Sequence, residues 1–81
     1  MTVRIVGFAR IRELVGAAVL ERPVAPDARA GDVFAALARE FPALAGLEHS
    51  VRFVRDGAIV AASTPLRDGD ELAILPPYGG G

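Results

Sequence analysis

Apolar and polar residues alternate at the start of the chain. Val3, Ile5 and Gly7 take every second place, with Arg4, Val6 and Phe8 between them. A period of two sends successive side chains to opposite faces of a strand, so a strand is predicted near the N-terminus. Ala9 to Val15 breaks that rhythm. With Arg10, Ile11, Arg12, Glu13 and Leu14 it reads as a short helical turn, stopped by Gly16. Ala18 to Val24 reads as a second strand. Pro23 marks an edge or a strand end, because proline has no N–H to give to a ladder. The gap between the two strands is too long for a tight hairpin, and the helical turn bridges it.

Pro26-Asp27 opens a loop. From Ala30 to Phe41 the period lengthens: Val33, Phe34, Leu37, Ala38 and Phe41 recur at spacings of three and four, one apolar stripe along a helix. Asp32 near its start and Arg39 near its end agree with the helix dipole, and Pro42 ends it. Ala43 to Ser50 is a connector without a readable period. Val51 to Arg55 reads as a third strand, Asp56-Gly57 as a two-residue hairpin turn, and Ala58 to Ala61 as a short fourth strand. Ser63-Thr64-Pro65 and Asp68-Gly69-Asp70 are turns. Glu71 to Leu75 is a fifth strand.

The order is therefore strand, strand, helix, strand, short strand, strand. One main helix must cover one face of a mixed sheet of about five strands to bury its stripe. That is an α+β fold, the β-grasp or ubiquitin-like arrangement, with the first and last strands side by side at the centre. If Val3, Ile5, Gly7, Leu72 and Ile74 face the helix, then Val6, Phe8, Ala73 and Leu75 face outward. They would form an exposed apolar patch, the usual mark of a partner site. Arg4 and Glu71 fall on the same outer face and are placed to pair there.

Composition narrows the function. The chain has 81 residues and suits a single domain, with residues 1–75 as the folded body and 76–81 as an extended tail. It has no cysteine, so no disulfide, redox pair or cysteine–zinc site is available. With no signal peptide in view, this favours the cytoplasm. No apolar stretch approaches a membrane span. The formal net charge is −1, and nine arginines are scattered without a cluster, which argues against nucleic acid. There is no lysine, so side-chain isopeptide chains of this protein on itself cannot form. A single histidine, His49, lies in the polar connector, away from any readable triad. Asp68, Asp70 and Glu71 read as a solvated turn, not as the six or more oxygen ligands calcium requires. No phosphate loop is present. We expect no bound metal or cofactor.

The tail carries the chemistry. Pro76-Pro77 favours extended polyproline geometry and projects the chain from the body. Tyr78 is an aromatic with a polar end, suited to docking. Gly79, Gly80 and Gly81 have no side chains, so such a segment can thread a narrow channel. A glycine carboxylate at the end is a poor electrophile until activated, which puts the activation in another protein's active site.

At these residues the chain resembles a known family. Phe8-Ala9 with Arg12-Glu13-Leu14-Val15-Gly16, then Pro65-Leu66-Arg67-Asp68-Gly69-Asp70-Glu71, and finally Pro76-Pro77 with Gly80-Gly81, look like the small subunit of molybdopterin synthase, a ubiquitin-like sulfur carrier. Tyr78-Gly79 departs from the aliphatic and small or polar pair more usual there. The resemblance implies that an E1-like enzyme uses magnesium ATP to adenylate Gly81. A persulfide donor then leaves a thiocarboxylate, and the tail enters a large synthase subunit to deliver sulfur for the dithiolene of molybdopterin. On this reading Gly81 carries the sulfur and Gly79 and Gly80 give access. Val6, Phe8, Ala73, Leu75, Pro76, Pro77 and Tyr78 meet partners. Two other readings use the same tail: a ubiquitin-like protein modifier, and a carrier for another sulfur pathway such as thiazole synthesis.

Overall fold

The computed structural model describes residues 1–76. Alternating apolar residues build β1 (Thr2–Gly7), which pairs antiparallel with β2 (Val19–Pro23), Ile5 opposite Leu20 and Val6 opposite Val19. Between them runs α1 (Ala9–Val15), stopped by Gly16 at φ 83°, whose N–H closes the last turn on the Arg12 carbonyl. After α2 (Ala30–Glu40) and a 3₁₀ turn (Pro42–Leu44) come β3 (Arg52–Arg55), β4 (Ala58–Val60) and β5 (Glu71–Leu75). The sheet order is β2-β1-β5-β3-β4. β1 and β5 are parallel neighbours, with Ile5 beside Leu72 and Val6 beside Ala73. This is the β-grasp topology expected from the order of elements.

One face of the sheet meets the helices. Val3, Ile5, Leu72, Ile74 and Phe53 are buried there against Ala30, Val33, Phe34 and Leu37 of α2. Phe34 and Phe53 meet edge to face, with ring centroids 6.2 Å apart and planes at 71°. The start of α2 is tied by the Arg29 N–H, which donates to Asp32 Oδ2 at 2.9 Å. Asp32 at N3 serves the helix here because an arginine side chain has no acceptor to offer.

Boundaries differ from the sequence reading by a residue or so. β2 is shorter than Ala18 to Val24, α2 stops at Glu40, β3 starts at Arg52, and β4 stops at Val60. Phe41 is the end cap of α2, because Pro42 forbids a continued α-helix. The larger difference lies in what covers the sheet. α1 is more than a bridge, since Ile11 is fully buried, and the connector sends Leu44 fully into the core. Asp56 and Gly57 take φ 53° and 78°, the type I′ turn that matches strand twist.

Candidate functional site

The outer face of the sheet follows from the same alternation. With Val3, Ile5, Leu72 and Ile74 buried, their neighbours Val6, Phe8, Ala73 and Leu75 turn to the other side. Cross-strand register then aligns one residue from every strand. Val19 lies opposite Val6, Val6 beside Ala73, Ala73 opposite Val54, and Val54 opposite Ile59. Strands about 4.8 Å apart make this an apolar row on the order of 19 Å long. Its ends are open: Val19 is 43% and Ile59 66% exposed, and Phe8 beside the row is 45% exposed. Val6, Val54, Ala73 and Leu75 are half-buried. Sequence alternation points to Val6, Phe8, Ala73 and Leu75 on this face, and the structure adds Val19, Val54 and Ile59. Alternation outward from buried Phe53 would have found Val54. Val19 and Ile59 needed the pairing register.

The row has a charged border on one side. Glu21 lies opposite Arg4, and Arg4 beside Glu71. The pair expected between Arg4 and Glu71 is present, Arg4 Nη1 to Glu71 Oε2 at 3.8 Å, both side chains more than half exposed. Such a pair contributes about 0–1 kcal/mol. It shapes the border of the patch more than it holds the fold. On the other side lie Phe8, Leu75 and Arg52, the last opposite Leu75.

That second side is where the chain leaves the sheet. β5 is the middle strand, so Leu75 delivers the chain from the centre of the sheet, with half-buried Pro76 next. Of the tail residues singled out from the sequence, Pro77, Tyr78, Gly79, Gly80 and Gly81 lie outside the described residues.

The acidic turn is occupied with structural work. Asp68 Oδ1 accepts the Thr2 N–H at 2.8 Å, and Asp70 Oδ2 accepts the Arg67 N–H at 2.8 Å. Arg55 Nη1 stands 3.7 Å from the same Asp70 oxygen. These contacts pin the entry to β5 against the start of β1. His49 is exposed in a turn of the connector. No helix among the described residues is long and apolar enough to cross a membrane.

Known proteins place this arrangement. The family model described as the ThiS family matches residues 5–81. Small archaeal modifier protein 3 of Haloferax volcanii is 34% identical over 85 residues, covering 91% of this chain and 92% of that protein. The crystal structure of small archaeal modifier protein 1 from the same organism superposes with a TM-score of 0.85 at 30% identity over the full length of both chains. A chain in the complex of subunits 1 and 2 of molybdopterin-converting factor from Helicobacter pylori shares the fold, with a TM-score of 0.67 at 23% identity and full coverage of both. The match from the first strand through the glycine tail shows that this chain belongs to the ThiS family of ubiquitin-like sulfur carriers.

Proposed function

We propose that this protein is a sulfur carrier serving as the small subunit of molybdopterin synthase, with the Gly81 carboxylate as its working group. The observation that carries the reading is the continuity of the family match through Gly81, on a body whose outer apolar face ends where β5 hands over to the tail. The segments Phe8-Ala9 with Arg12-Glu13-Leu14 and Pro76-Pro77 resemble the small subunit's signature and support this pathway among the sulfur carriers.

The chemistry divides between this chain and its partners. In an E1-like enzyme the Gly81 carboxylate attacks the α-phosphate of magnesium ATP, and pyrophosphate leaves. The terminal sulfur of a persulfide then attacks the acyl carbon and AMP leaves. Thiol cleavage of the resulting S–S bond frees the thiocarboxylate and forms a disulfide on the donor side. Two such carriers supply the two sulfurs of a dithiolene. This chain brings a threadable tail in Gly79 and Gly80, and an apolar face including Val6, Phe8, Ala73 and Leu75 to seat the activating enzyme or the large subunit. Pro76 and Pro77 reduce the entropy lost when a partner orders the tail, which otherwise runs at roughly 1–2 kcal/mol per residue. The cysteine-free sequence suits a cytoplasmic setting.

Intact-mass spectrometry tests this directly. With an E1-like enzyme, magnesium ATP and a persulfide donor, one terminal oxygen is replaced by sulfur, and fragmentation places the change on Gly81. Without donor, the reaction stops at the adenylate with release of pyrophosphate. One residue added after Gly81 prevents both.

A second reading has its own support: the relatives at 34% and 33% identity are named as small archaeal modifier proteins. On that reading the activated Gly81 is attacked by target lysines. Lysine-linked conjugates together with pyrophosphate release, and no sulfur gain with any cognate enzyme, would establish the modifier and refute the sulfur carrier.

A further inference from the structure

Ala9 has φ 48°, in the left-handed region that penalises any residue with a Cβ. Elsewhere the chain puts glycine at such positions, as at Gly16, Gly46, Gly57 and Gly69. The other non-glycine with positive φ among the described residues is Asp56, and aspartate is accepted in a type I′ turn. Alanine has neither glycine's freedom nor a polar group to bond locally. An unfavourable backbone state persists where its surroundings over-determine it, and such residues gather at functional sites.

The surroundings here are specific. Ala9 opens α1 immediately after Phe8, the exposed aromatic beside the apolar row. α1 folds back tightly: a Cβ on Gly7 would stand 3.3 Å from Ile11 Cγ2 and 3.4 Å from the Arg12 nitrogen. The Phe8 N–H donates to the Ile74 carbonyl of β5 at 3.3 Å, and its own carbonyl accepts from the Ile11 N–H at 3.0 Å. Phe8 is thereby held between the strand that leads into the tail and the first turn of α1. Its extended backbone, φ −119° and ψ 150°, passes directly into the left-handed residue. A glycine at position 9 would allow the same corner with a much wider choice of backbone angles.

We infer that Ala9 is a positioning residue: its restrained left-handed backbone fixes the direction of Phe8, so that the ring is already set when a partner arrives. The inference rests on the reading that the outer face docks the activating enzyme. Alanine at this corner trades local strain for preorganisation, which lowers the ordering cost of binding. It touches no reacting atom.

Two substitutions separate restraint from contact. Ala9→Gly removes the Cβ and widens the allowed backbone. Ala9→Asn keeps a Cβ and tolerates the left-handed region. Amide hydrogen exchange on the free protein should show the Phe8 N–H exchanging several-fold faster in Ala9→Gly and unchanged in Ala9→Asn. Affinity for the E1-like enzyme that releases pyrophosphate with this carrier should fall about two- to tenfold in Ala9→Gly and hold in Ala9→Asn, at equal or higher melting temperature for the glycine variant. Unchanged exchange at Phe8 in Ala9→Gly overturns the inference, as does wild-type affinity in that variant. Equal loss of affinity in both variants overturns it too, since the alanine methyl would then be a contact. A wild-type protein that binds no activating enzyme sinks the docking reading instead, and the exchange measurement still decides whether Ala9 restrains Phe8.

Discussion

Phe8 and Phe34 are the same residue type in opposite circumstances. Phe34 is 1% exposed under α2, while Phe8 is 45% exposed at the end of β1. Truncating a buried phenylalanine costs about 3–5 kcal/mol, because contacts are lost and a cavity remains. Phe34→Ala should therefore lose much of the stability of so small a domain. Phe8→Arg leaves no cavity, and its effect on folding should stay within about 0.5 kcal/mol. Its effect on partner binding should reach about 2 kcal/mol or more if Phe8 is an anchor. Urea unfolding and binding titration on the two variants check both halves. Unfolding of Phe8→Arg would place that ring in the core. The difference between the two rings was legible in the sequence, because Phe8 falls out of phase with Val3 and Ile5 whereas Phe34 falls on the helical stripe. The left-handed backbone of Ala9 was not legible, since nothing in Phe-Ala-Arg marks a positive φ as a glycine would.

Among the elements, β1, α2 and β5 could be read from period and turn chemistry, because each buries one face and each is bounded by proline, glycine or aspartate. The connector before β3 could not. It carries Leu44 into the core from a single 3₁₀ turn, and one turn has no period to detect. Contacts between elements were hidden for a related reason: they join residues far apart in the chain. Arg22 on β2 donates from Nε to Glu40 Oε2 on α2 at 3.0 Å, and from Nη2 to the other carboxylate oxygen, strapping the edge strand to the end of the helix. The hydrogen-bonded Arg22 guanidinium holds the Glu40 carboxyl below its ordinary 4.5. A carboxyl depressed in the folded state contributes stability above its unfolded pKa and loses it as pH falls through the folded one. Arg22, whose pKa is raised, stays charged across that range. Glu40→Gln should thus melt slightly below the wild type at pH 7, and the gap should close as the pH drops below about 4. Melting curves across that range check it. A gap independent of pH would mean that the strap works through packing alone.

At the scale of the whole molecule, the proposed working group, Gly81, follows the last described strand in sequence. Every buried hydrophobic residue among the described residues lies between Val3 and Ile74. β5 ends at Leu75, in the middle of the sheet, ahead of Gly79-Gly80-Gly81 in the sequence. The proposed reading needs a terminus that enters other proteins without unsettling the core. On the proposed reading, deleting Gly80 and Gly81 removes the activated group and its access while leaving the described buried residues, Val3 to Ile74, in the chain. The truncated protein should keep its melting temperature to within about a degree, since neither glycine supplies a side chain to the described core. It should still compete with full-length carrier for the activating enzyme, because the apolar row from Val19 to Ile59 is intact. It should release no pyrophosphate and gain no sulfur. Calorimetry, competition and mass spectrometry on the one variant therefore read three links separately. A fall of many degrees would show that the glycines are part of the fold. A truncated protein that is stable but no longer competes would show that the tail, and not the face, supplies the binding energy.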